Sequence, residues 1–218
     1  HLSIRRQRQM CIRDRIIEAL NSIQSNDGTW QNGNMYLTSQ ILMFYNRSGV
    51  KPAKSLEPFF STVDTWEKVN AHMHEGNYWG QLYLYVNSYV VYKGEAPPWA
   101  GEFVDEASEK FDTWAYDNHQ RTHLIASLLQ LLKPIPRIDE VINITLQQQK
   151  EDGSWDWSEA ETVFTIQALK YLENQTNVEK NLIESAINRG LEYVIKCYRT
   201  IDFEGKTYAG FAINSSFE

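Results

Sequence analysis

"QSNDGTW" occupies residues 24–30 and "QKEDGSW" residues 149–155, with Gln, Gly and Trp at matching places. One such phrase reads as a turn after a helix; two read as a repeated structural unit. Glycine just past a helix end takes the left-handed conformation that stops the helix. Gln24 and Gln149 each bring an amide, donor and acceptor together, to tie loop backbone to a neighbouring helix end. Trp30 and Trp155 bring a large apolar plate with one N–H to place on a carbonyl. Gln24, Gly28 and Trp30, and again Gln149, Gly153 and Trp155, form a device for joining adjacent outer helices.

Working outward, the aromatics recur as "GTW" (28–30), "NYW" (77–79), "DTW" (112–114), "GSW" (153–155) and "KTY" (206–208), at spacings of 49, 35, 41 and 53 residues. Periods of this length mark repeat architectures. Each aromatic follows a helix-like stretch, and all but the last precede another. The expected pairs are 10–24 with 35–47, 56–73 with 80–93, 102–113 with 119–133, and 137–149 with 158–173. A further helix is expected at 179–198. Asp-Thr-Trp also occurs at 64–66, inside an outer helix or at its start.

The members of each pair differ. "RIDEVINITLQQQ" and "ESAINRGLEYVIKCY" place apolar residues at three-to-four spacing, as helices with one wet face do. "YLTSQILMFY", "LYLYVNSYVVY", "HLIASLLQLL" and "VFTIQALKYL" are apolar nearly all round and must be buried. Pro97-Pro98, Pro134 and Pro136 fall between pairs, where helices break. The predicted fold is all-α, built from stacked helical hairpins.

Composition narrows the function. Hydrophobic residues make up 42% and charged residues 22%, values of a folded globular chain. A net charge of −7 excludes a nucleic-acid surface, which needs clustered Lys and Arg. No apolar run approaches eighteen residues, so no transmembrane segment is expected, although peripheral contact with a membrane stays open. Two cysteines, Cys11 and Cys197, make no disulfide framework and point to a reducing, cytoplasmic setting. Residues 1–15 hold five Arg and one Asp and read as the translation of a sequencing adaptor, a non-native or disordered extension; without them the net charge becomes −11.

Gln24-x3-Gly28-x-Trp30 and Gln149-x3-Gly153-x-Trp155 resemble the QW motif of terpenoid cyclases of the squalene–hopene type, and the helical-pair period is similar to that of protein prenyltransferase β subunits. The resemblance covers residues 16–218 and is strongest at 16–47 and 137–173. It implies an α/α toroid, incomplete or a fragment at four and a half hairpins, with inner helices around an apolar pocket for an isoprenoid-like small molecule. Neither family chemistry is complete in the sequence. No Asp-x-Asp-Asp occurs; Asp156, Glu159 and Glu161 in "DWSEAET" are the nearest acids, and acids at a helix start also complement its dipole. The prenyltransferase zinc ligands are absent as a set: Asn87 and Tyr89 stand where an Asp-x-Cys pair would be, while His123 resembles the family histidine.

Two further groups invite chemistry. His72-x-His74 and His119-x3-His123 have spacings compatible with a divalent metal such as zinc, with Asp117 as a supporting carboxylate; the alternative is a polar loop and two packing histidines. Tyr85, Tyr89 and Tyr92 share one helix face and, with His123, are candidate substrate contacts; such a face stabilises a cation or simply packs. Three functions follow from these residues: an isoprenoid-binding domain with or without catalysis, a non-catalytic repeat module for a protein or glycan, and a histidine-dependent metalloenzyme.

Overall fold

Helix follows helix in a computed structural model that describes residues 2–73 and 77–199. The order is α1 (Leu2–Ser22), α2 (Met35–Ser48), α3 (Glu57–Phe60), α4 (Trp66–Asn70), α5 (Tyr78–Lys93), α6 (Ala100–Glu109), a 3-10 turn η1 (Phe111–Thr113), α7 (Asn118–Gln130), α8 (Ile138–Gln147), α9 (Glu159–Leu172) and α10 (Lys180–Arg199). Among the described residues there is no strand, only isolated bridges at Gln24–Trp30 and Trp155–Ser158. The protein is all-α. Helix α1 continues without a break past residue 15, where an extension was expected to end.

Each expected pair has its helices, with two corrections. The outer helix expected at 56–73 is two short helices, α3 and α4, because the Thr65 side chain caps a new start by accepting from the Lys68 amide. The Asp-Thr-Trp at 64–66 is thus a helix start. Trp79, expected at an elbow, lies instead in the first turn of α5 and is buried. "KTY" at 206–208 and His74 lie outside the described residues.

The chain forms two compact units, His1–Glu106 with Ser127–Lys133, and Ala107–Ala126 with Pro134–Glu218. In the first unit α2 packs along α5. Asn34 starts α2 by accepting from the Leu37 amide at 3.0 Å, and Gly49 ends it at φ 65°. The pair of α2 and α5 buries Leu42, Tyr45, Leu82 and Val86. Within it Asn87 donates to Ser39 Oγ at 2.6 Å and accepts from Gln130 at 2.9 Å, so a buried amide keeps its partners. In the second unit α10 packs along α9. Gly190 permits this approach, since a Cβ there would stand 2.9 Å from the Trp155 ring. Trp30, Trp79, Trp99, Trp114 and Trp155 are each at most 1% exposed. Burial of 150–250 Å² per tryptophan contributes on the order of 4–6 kcal/mol each before entropy is counted.

Candidate functional site

The two Gln-x3-Gly-x-Trp stretches fold alike, down to single atoms. Gln24 Nε2 donates to the Gly28 carbonyl at 2.7 Å and the Lys54 carbonyl at 2.9 Å. Gln149 Nε2 donates to the Gly153 carbonyl at 2.9 Å and the Ala186 carbonyl at 2.8 Å. Gln24 Oε1 accepts from the Lys54 amide, and Gln149 Oε1 from the Arg189 guanidinium. Trp30 Nε1 donates to the Leu20 carbonyl at 2.9 Å, and Trp155 Nε1 to the Thr145 carbonyl at 2.8 Å. Their backbone amides donate to Thr38 Oγ1 and Thr162 Oγ1, on the first turn of the following helix. Asp27 and Asp152 close the turn by accepting from Thr29 and Ser154. Each elbow therefore joins one helical pair to the segment that begins the next, as expected from sequence.

The glycines are required twice over. Gly28 and Gly153 sit at φ 87° and 92°, and a Cβ at either would lie 2.1 Å from the Ser55 carbonyl oxygen or 2.4 Å from that of Arg189. The third elbow is built differently. Trp114 keeps its bond, Nε1 to the Ala107 carbonyl at 2.8 Å, without Gln or Gly. Seven residues beyond it, where Thr162 stands relative to Trp155, the chain has Arg121. This guanidinium is fully buried and donates to the Ala115 carbonyl at 2.5 Å and Asn118 Oδ1 at 2.6 Å. Burial pushes its pKa down to about 10 against the favourable field of Asp156 and Asp117.

Beside Arg121, the first turns of α7 and α9 meet in a titratable cluster. Ser158 caps α9 by accepting from the Glu161 amide, which fixes Glu161 in the first turn. Asp117 does the same for α7 through the Gln120 amide at 2.9 Å. Glu161 Oε1 accepts from His119 Nδ1 at 2.8 Å. The His123 ring packs on His119 at a tilt of 50°, centroids 4.2 Å apart, and its Nδ1 lies 2.7 Å from the His119 carbonyl. Phe164 of α9 packs on the other side of His123 at 5.4 Å.

The bond from Glu161 raises the His119 pKa, opposed by burial and aided by Asp117 and Asp156. Burial lowers that of His123, reinforced by the neighbouring His119. Two rings so close cannot both carry a proton cheaply, and Glu161 decides which one does. The site is an oriented imidazole, its carboxylate sheltered at 18% side-chain exposure and its ring reachable at 42%.

The expected site residues separate under this geometry. Of the three acids, Glu161 joins the cluster. Asp156 stands exposed at φ 54° and acts on His119 and Arg121 through its field. Glu159 faces α10 instead, where it helps raise the Cys197 thiol pKa. Tyr85, Tyr89 and Tyr92 lie in the first unit and pack on α3: Tyr85 on Phe59, Tyr89 and Tyr92 on Phe60 at 5.0 and 5.6 Å. The Tyr92 hydroxyl also accepts from the Leu56 amide, so the work visible for this face is packing. His72 lies in the turn after α4, its Nδ1 2.8 Å from the Lys68 carbonyl. Among the described residues no three His, Cys, Asp or Glu side chains come together to hold a metal ion.

The pairing of Glu161 with His119 was not foreseen, because 42 residues separate them; a sequence signal existed only in that each falls on the first turn of a helix. Compared with protein-family models, curated proteins and solved structures, the chain matches none. No helix among the described residues is long and apolar enough to cross a membrane.

Proposed function

We propose that this chain is a helical-hairpin-repeat domain of the terpenoid cyclase and prenyltransferase type, an α/α toroid whose function is to bind an isoprenoid-like hydrophobic ligand along its inner helices. The observation that carries this reading is the atom-by-atom recurrence of the Gln–Gly–Trp elbow at residues 24–38 and 149–162. The motif, its glycine clash and its tie to the next segment recur together, so the internal repeat extends beyond three letters. Support also comes from α2 and α5, which pack along one another and bury Leu42, Met43, Leu82 and Val86. Binding is proposed without a cation cascade. Glu161 is engaged by an imidazole, and no second acid shares a proton with it. A reducing compartment such as the cytoplasm suits a chain with two cysteines and no disulfide among its described residues.

The test is equilibrium binding of three C20–C30 probes, geranylgeraniol, geranylgeranyl diphosphate and squalene, presented from a cyclodextrin carrier. Saturable one-to-one binding of at least one of them is expected. Failure of all three to bind up to the carrier's limit contradicts the reading and favours a repeat module for a protein or glycan.

A further inference from the structure

We infer that the ligand of this domain carries a neutral hydroxyl, held by His119 with Glu161 as its orienting partner, so that the substrate class is a long-chain isoprenoid alcohol and neither a diphosphate nor a hydrocarbon. The inference rests on the isoprenoid-binding reading above and names the chemistry at one end of the ligand.

The geometry begins with the ring. Because Nδ1 is turned to a carboxylate oxygen at 2.8 Å, it carries a hydrogen and donates it, which leaves Nε2 as the nitrogen presented elsewhere. The side chain is 42% exposed, so the residue can be reached. The tilted contact with His123, itself tied to the helix backbone, limits how the ring can turn. His119 is thus a fixed polar group of one orientation, in the manner of an imidazole held by a carboxylate in enzyme sites.

Charge and hydrogen-bond capacity then choose among head groups. Three carboxylates act on the ring, Glu161 by contact and Asp117 and Asp156 through space. Against them stand the imidazole and the buried Arg121, whose donors point to the Ala115 carbonyl and Asn118. The surroundings are negative, and a diphosphate would add charge of the same sign. A hydrocarbon would cover polar groups without bonding to them, at a desolvation cost. A hydroxyl fits both forms of the ring: it accepts from Nε2–H when His119 is protonated and donates to Nε2 when it is neutral. Phe164 of α9 packs on His123 at 5.4 Å, an apolar ring near that polar end.

The same three probes test this, now by ratio. Geranylgeraniol is expected to bind about tenfold tighter than squalene or geranylgeranyl diphosphate, the size of one hydrogen bond to a charged group. His119→Phe should bring the alcohol down to the hydrocarbon's affinity while squalene binding holds. Glu161→Gln, which keeps the shape, should narrow the gap between alcohol and diphosphate. Equal binding of all three, or a preference for the diphosphate, overturns the hydroxyl inference and leaves isoprenoid binding standing. Binding of none overturns both.

Discussion

Replacing Gly28 by Ala measures how much the elbow depends on close backbone approach. Gly28 has φ +87°, and its absent Cβ would fall 2.1 Å from the Ser55 carbonyl oxygen and 2.7 Å from Leu56 Cα. Gly33 has nearly the same backbone, φ +88°, and open space within 4 Å. The left-handed conformation costs an alanine about 1–2 kcal/mol at either position. Only Gly28→Ala must also displace backbone, an overpacking cost of about 1–3 kcal/mol. Relief by movement is limited, because Ser55 follows Lys54, whose amide and carbonyl both bond Gln24. The expected losses are about 2–5 kcal/mol for Gly28→Ala and about 1–2 kcal/mol for Gly33→Ala. Urea unfolding followed by tryptophan fluorescence reads both, and in a chain of this size each kcal/mol is about 2–4 °C in Tm. Equal losses for the two variants would refute the close-approach reasoning.

Leu132 ends α7 at φ 53° and is 92% exposed, where α2 and α5 end in Gly49 and Gly94. Leu132→Gly should therefore stabilise by about 1 kcal/mol, read as a higher Tm, and any loss of stability would show that Leu132 is held by something else. Gln149→Ala removes two part-buried bonds to the Gly153 and Ala186 carbonyls and should cost about 2 kcal/mol, an effect Gln148→Ala should not match in urea melts. The His119–His123 pair predicts a stability optimum. The raised pKa of His119 contributes stability in full below the ordinary value of 6.5, lost as pH rises through the folded value. The lowered pKa of His123 contributes above 6.5 and is lost as pH falls through its folded value. Tm should peak near pH 6.5, and His119→Gln should flatten the alkaline limb; an unchanged limb in that variant would assign it to other groups.

What the sequence carried was the local part. Helix periodicity, caps and prolines are read over ten to fifteen residues, and they placed the helical pairs and both elbows. The Gln–Gly–Trp phrase could be understood before its bonds were seen, because each of its side chains has one obvious job at a helix end. The split of the outer helix into α3 and α4 depended on a single capping threonine, too small a signal to outweigh periodicity. Trp79 misled because an aromatic after Asn and Tyr looks the same at an elbow and in a first helical turn. The cluster of Glu161, His119 and His123 needed the packing of α7 on α9, which no local pattern encodes. The replacement of an elbow threonine by Arg121 became visible only when the elbows were compared in three dimensions.

The most direct test of ligand and site together is an isotope-filtered NOE experiment with geranylgeraniol labelled with 13C at its hydroxyl-bearing carbon. Cross-peaks from that carbon's protons to the His119 ring, with chain protons reaching Phe164, are the predicted result. A bound alcohol whose labelled carbon contacts neither α7 nor α9 would contradict it.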